Sequence, residues 1–137
     1  MPAVRTDVLP LRSEQDVVMA RQAVRRLSQE LGFSLVDQTK MVTAASELAR
    51  NTVTHGRGGD MRFELLHEGD RKGLRLTFVD EGPGIPNITL ALTDGWTTGS
   101  GLGMGLSGSK RLVNEFEIES QPGQGTRVTI ARWRSGA

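Results

Sequence analysis

Between residues 17 and 31, Val17, Ala20, Val24, Leu27 and Leu31 recur every three or four positions with polar residues between them. That period predicts an amphipathic helix with one apolar stripe turned to a core. Ser13 is its N-cap candidate, and Gly32 is placed to end it. Residues 4–11 read as a short strand, and Pro10 within it points to a sheet edge. Ser34 followed by Asp37 is an acidic variant of the capping box, opening a second helix through about Thr54, which the glycines at 56–59 stop. Residues 61–67 and 74–80 read as strands joined by the polar turn EGDRKG.

Further on, DEGPGIP predicts a loop, residues 88–93 a short helical stretch, and 95–105 a mobile glycine-rich loop. A third helix is predicted over 106–115, with Leu106, Leu112 and Val113 inward, then a hairpin of strands 116–120 and 126–133 around the turn PGQG. Helices and strands interleave while the hairpins make the sheet mixed or antiparallel. The expected fold class is therefore α/β (α+β): a two-layer sandwich, a mixed β-sheet with helices on one face, in one domain over residues 1–137.

Composition narrows the function classes. No run approaches the ~20 apolar residues that cross a bilayer, and the N-terminus has no apolar signal core. The absence of cysteine removes disulfide frameworks and thiolate metal sites. A net charge of +1 with intermixed signs gives no footprint for nucleic acid or an anionic membrane, so a cytoplasmic protein is expected. Glycine is in excess, 17 residues where average usage gives roughly ten. The surplus clusters at 82–84, 95–108 and 123–125, where backbone must approach something closely or take positive φ.

Three groups of residues can carry chemistry. In SELARNTVTHG, Glu47, Asn51 and His55 share one helix face. A carboxylate and a carboxamide one turn apart suit proton acceptance and magnesium ligation; the plain alternative is a solvated polar face. In GLRLTFVD, alternation puts Asp80 on the face of Leu74, Leu76 and Phe78. A carboxylate aimed at a core needs a donor, such as an adenine amino group, and Gly82 and Gly84 would let a flat ligand reach it; the alternative is a turn-starting aspartate. In GWTTGSGLGMGLSGSKRL, glycines at 99, 101, 103 and 105 precede a helix, an arrangement that can hold phosphate oxygens, or else a plain surface loop. A dinucleotide fingerprint fails at Leu106, and a P-loop fails at Ser109 and Arg111.

His55 and His67 lack partners at metal spacing, Asn87-Ile88-Thr89 is a chance sequon in a cytoplasmic protein, and Arg21, Arg25 and Arg26 read as a solvated helix face or a partner surface. Trp96 anchors the glycine loop or belongs to the core.

The order of these motifs, Glu-x-x-x-Asn on a helix, Asp-x-Gly-x-Gly after a strand, a glycine lid and Gly-x-Gly-Thr before a last strand, resembles the GHKL (Bergerat-fold) ATPase superfamily over residues 13–133. SELARN, DEGPGIP, DGWTTGSGLGMGLSGSKRL and NEFEIESQPGQGT further resemble the RsbT-type switch kinases, cousins of the anti-sigma-factor kinases RsbW and SpoIIAB. The resemblance implies ATP with Mg2+ held through Asn51, and Glu47 as the acid that activates the attacking hydroxyl. It also implies Asp80 on the adenine amino group beside Gly82 and Gly84, and Thr126 near the base. Gly101, Leu102, Gly103, Met104 and Gly105 correspond to the phosphate lid, with Lys110 reaching a phosphate. Ser107, where a proline often stands, and Met104, in place of a smaller residue, depart from the pattern without removing a ligand group.

The implied activity is transfer of the ATP γ-phosphoryl group to a serine of a STAS-domain partner, with release to a PP2C-type phosphatase as the second half of a switch. Rival readings are an anti-sigma factor that sequesters a sigma subunit, a histidine-kinase catalytic domain, a gyrase- or MutL-type ATPase, and a non-catalytic adaptor. The start of the chain almost at the domain, and its end at Ala137, are expected to disfavour the second and third. Monomer and homodimer both stay open.

Overall fold

The computed structural model describes residues 3–84 and 105–134. The elements run β1 (Ala3–Leu11), α1 (Glu14–Glu30), α2 (Leu35–Thr54), β2 (Gly59–Glu68), β3 (Arg71–Asp80), α3 (Gly105–Arg111), β4 (Glu115–Ser120) and β5 (Thr126–Trp133). The expected helix at 88–93 and most of the glycine loop lie outside the described residues.

The five strands form one sheet in the order β1-β2-β3-β5-β4, with every pairing antiparallel. The fold class is the expected one, with the choice between mixed and antiparallel falling on antiparallel. β1 is an edge, as Pro10 required. Alternation along the strands turns Met61, Phe63, Leu65, Leu74, Leu76, Phe78, Val128 and Ile130 to one side. They meet Val17, Ala20, Val24 and Leu27 of α1 and Met41, Ala45 and Leu48 of α2 in one buried cluster. Burying each large aliphatic or aromatic side chain there contributes roughly 1.5–3 kcal/mol, which fixes α2 against the sheet.

Both N-caps form: Ser13 Oγ accepts from the Asp16 amide at 3.3 Å, and Ser34 Oγ from the Asp37 amide at 3.1 Å. Asp37 does more than the capping box implied. Its Oδ1 also accepts from Nη2 and Nε of Arg132 at 2.6 and 3.2 Å, a buried pair spanning the two layers. Arg132 Nη1 donates to the Leu112 carbonyl at 2.7 Å, so one guanidinium ties the N-terminus of α2, the end of α3 and β5 together.

Two expected boundaries move. β3 begins at Arg71 rather than 74, leaving only Gly69 and Asp70 in the turn, with φ of +62° at Gly69. The extension is held by Trp133, whose ring covers Gly73 so closely that a Cβ there would lie 2.7 Å from it, while the Arg71 guanidinium sits 4.1 Å from the ring centroid. α3 ends at Arg111, and Glu115, expected in the helix, opens β4. The Asn114 amide donates to the Ala131 carbonyl and its side chain accepts from the Trp133 amide at 2.7 Å, which draws the chain into the sheet.

Candidate functional site

Between α2 and the end of the sheet where β3 stops lies a pocket. Leu48, Asn51, Thr52 and His55 line it from α2, Phe78 and Asp80 from β3, Thr126 and Val128 from β5, and Gly56, Gly84 and Leu106 complete the described lining. The four α2 positions follow the i, i+3, i+4, i+7 rule of a single helix stripe. On each strand the lining residues are two apart, so the pleat turns both toward the helix. The result is a slot with apolar walls from Leu48, Phe78, Leu106 and Val128 and polar groups at its margins.

Asp80 is the most constrained of these groups. Its Oδ1 accepts two backbone bonds, from the Gly82 amide at 2.9 Å and the Thr126 amide at 3.2 Å. Among the described residues Oδ2 accepts no hydrogen bond, which leaves it able to take a donor. Burial pushes the Asp80 carboxyl above the ordinary carboxylate range, against the smaller opposing pull of the two backbone amides. Thr126 Oγ1 lies 2.9 Å from Ser120 Oγ, and the Ser120 O–H donates to the Gly125 carbonyl at 3.1 Å, so the start of β5 is held from the β4 side.

The glycines around Asp80 also meet close protein contacts. A Cβ on Gly82 would lie 2.7 Å from the Gly56 Cα, and one on Gly84, at φ +78°, would overlap the Gln121 carbonyl oxygen. The Gly123 amide donates to the Pro83 carbonyl at 2.7 Å, so the DEGPG loop rests on the PGQG turn.

The structure thus brings Asn51, Asp80, Gly84 and Thr126 together around one slot, with Gly82 directly behind Asp80. Glu47 is 6% exposed and buried on α2 one turn before Asn51, but it stands at the edge of the stripe and does not line the slot; the Arg50 guanidinium is 4.0 Å from its Oε1. Gly105 begins α3. Lys110 is exposed on α3 and is not part of the lining. Gly101, Leu102, Gly103 and Met104 lie outside the described residues. Leu48, Thr52, Phe78, Leu106 and Val128 join the lining with no sequence signal beyond that of a core residue, save that Phe78 and Val128 sit one alternation from Asp80 and Thr126.

A larger, shallower hollow of about 710 Å³ also borders Asp80 and Thr126, lined by Arg62, Gln121, Gln124 and Arg127 among others. Among the described residues its one apolar lining side chain is Val79, so that lining offers a flat ring a single apolar contact.

An apolar slot floored by a carboxylate, with a carboxamide on the facing helix, is the arrangement the sequence comparisons bear on. The family described as histidine kinase-, DNA gyrase B- and HSP90-like ATPase matches residues 36–135. The chain belongs to this ATPase family. Among its relatives is a protein named serine/threonine-protein kinase RsbT from Bacillus subtilis (strain 168), 43% identical over 123 residues, covering 90% of this chain and 92% of the relative. A protein named anti-sigma F factor from Thermoanaerobacter sp. (strain X514) is 28% identical over 129 residues, covering 90% and 89%. In three dimensions the chain resembles a crystal structure of the RsbU and RsbW domains of a Mycobacterium tuberculosis protein, with a TM-score of 0.64 and 22% identity. That likeness, which covers 96% of this chain and 33% of the longer one, concerns the ATPase-family fold alone. No helix among the described residues is long and apolar enough to cross a membrane.

Proposed function

We propose that this chain is a cytoplasmic, single-domain serine-protein kinase that moves the γ-phosphoryl group of ATP to a serine of a STAS-domain partner. The observation that carries the reading is the slot itself: Asp80, its Oδ1 taken by two backbone amides, lines it beside the apolar walls, while Asn51 lines it from α2. Adenine fits that chemistry, since its flat faces want Phe78, Leu106 and Val128 and its amino group wants an acceptor. The 43% identity to a protein named a serine/threonine kinase supports the reading.

In this scheme Asp80 selects the base and Thr126, held by Ser120, borders it. Asn51 would hold magnesium, which when bound neutralises phosphate charge. Lid amides of Gly101, Gly103 and Gly105 would take phosphate oxygens, and Lys110 would need to swing in from solvent to reach one. Glu47 would orient the serine hydroxyl and accept its proton as the serine oxygen bonds to the γ-phosphorus and the bond to the departing ADP oxygen breaks. Glu47 is buried with Arg50 as its near cation, so it would have to move to reach a nucleophile in the slot. Release from the STAS partner would free the kinase to engage a PP2C-type phosphatase.

A second reading, sequestration of a sigma factor, is favoured by the relatives named anti-sigma F factor. Co-purification against STAS, PP2C and sigma candidates from the same genome separates the two. Capture of a STAS protein together with magnesium-dependent serine labelling supports the switch kinase, whereas capture of a sigma subunit alone supports sequestration.

A further inference from the structure

Gly56, the residue after the C-cap of α2, has no side chain for a reason visible in the site. A Cβ built there would overlap Cγ of Asp80 and lie 2.5 Å from its Oδ2 and 2.6 Å from its Cβ. Real Cβ atoms essentially never approach so closely. The Gly56 amide in turn donates to the Asn51 carbonyl at 3.0 Å, the same oxygen that receives the His55 amide at 2.9 Å. Its Cα is also what a side chain at Gly82 would strike, at 2.7 Å. Gly56 is therefore wedged between the two groups that the slot sets apart. On one side it is bonded to the residue that carries the Asn51 carboxamide, and on the other it lies flush against the Asp80 carboxylate.

We propose that Gly56 is a positioning residue that sets the spacing and aim of Asp80 relative to Asn51, and thereby the choice of purine base. Any side chain at 56 forces one of two movements. Either Asp80 turns away and gives up the bonds from Gly82 and Thr126, or the end of α2 withdraws and carries Asn51 with it. Both uncouple recognition of the base from the far end of the slot. This inference rests on the ATP reading above and adds to it a residue that touches neither the phosphates nor the metal.

The test compares ATP with ITP, which carries a carbonyl oxygen where ATP carries the amino group. Binding of each to the full chain in the presence of magnesium is measured by titration calorimetry for wild type and Gly56→Ala. Wild type should favour ATP by about tenfold or more, the scale of a hydrogen bond to a charged acceptor. Gly56→Ala should bring the ratio toward one, whereas a merely structural defect weakens both nucleotides in proportion and keeps the ratio. Thermal unfolding of the apo variants adds a nucleotide-free arm. Gly56→Ala should melt lower than wild type, and Gly56→Ala/Asp80→Gly, which clears the overlap, should recover part of the loss. A preserved ATP/ITP ratio in Gly56→Ala, or no recovery in the double variant, overturns the inference while leaving the ATP reading standing. Failure of wild type to bind ATP overturns both.

Discussion

Replacing Asp80 with asparagine is the most informative single change, because the structure fixes how the amide must sit. Oδ1 of Asp80 accepts from the Gly82 and Thr126 amides at 2.9 and 3.2 Å. Only the oxygen of an asparagine can take that place, so its NH2 occupies the position of Oδ2 and faces the slot as a donor. An adenine amino group then meets a donor instead of a charged acceptor. Losing a charge-assisted bond of about 1.5–3 kcal/mol weakens ATP binding by roughly 10- to 150-fold. The carbonyl oxygen of a 6-oxopurine meets a new donor at the same point, so ITP binding should strengthen and the preference should reverse. The apo protein, by contrast, should gain stability at neutral pH, since burial disfavours the Asp80 carboxylate. Nucleotide titrations with ATP and ITP, paired with thermal unfolding of the apo form, read both effects. An unchanged ATP/ITP ratio in Asp80→Asn would refute the assignment of Asp80 to the base.

Three further outcomes are expected. Because the folded-state pKa of Asp80 is raised above its ordinary 3.8, the native state holds more protons than the unfolded state between that value and the raised one. Its contribution to stability therefore falls as pH climbs through that window, and a wild-type minus Asp80→Asn comparison of unfolding free energy should show this slope; a difference that is flat with pH contradicts it. Arg132→Met removes both bonds that Arg132 donates to the buried Asp37 carboxylate, 3% exposed, and its bond to the Leu112 carbonyl, which should cost about 3–5 kcal/mol in urea unfolding. Pairing it with Asp37→Leu should restore much of that loss, and a single-variant cost under about 1 kcal/mol would show that the pair does not hold the layers. Ser34→Ala removes the acceptor of the Asp37 amide and should lower stability by about 0.5–2 kcal/mol, checked by the same assay, with no change counting against the cap.

Local periodicity carried much of this architecture. The stripe on α1, the two serine caps, the bounds of β5 and the placing of Asp80 on the inner face all follow from spacing that neighbouring residues enforce. What spacing could not show are the contacts between distant segments. Asp37 and Arg132 lie 95 positions apart, and no local pattern pairs them. The ends of β3 and α3 depend on Trp133 covering Gly73 and on Asn114 joining the sheet, both tertiary effects that override helix and turn propensity. Asn51, Asp80 and Thr126 stand out by the distinctive order of their motifs along the chain, and the fold brings them to one slot. The apolar walls were not legible, since Leu48 and Val128 carry the same signal as any core residue. The glycines were legible as a cluster, but the contacts of each, Gly82 against Gly56 and Gly84 against Gln121, exist only once the loops are folded together.

The central claim is phosphoryl transfer to a partner serine from ATP bound between Asp80 and Asn51. The direct measurement is incubation of wild type and Asn51→Ala with γ-labelled ATP, magnesium and a STAS-domain protein from the same genome, followed by identification of the labelled residue. Magnesium-dependent label on a serine of the STAS protein with wild type, and none with a folded Asn51→Ala, is the predicted result. A wild type that binds ATP yet labels no partner, or labelling that Asn51→Ala leaves intact, would contradict it.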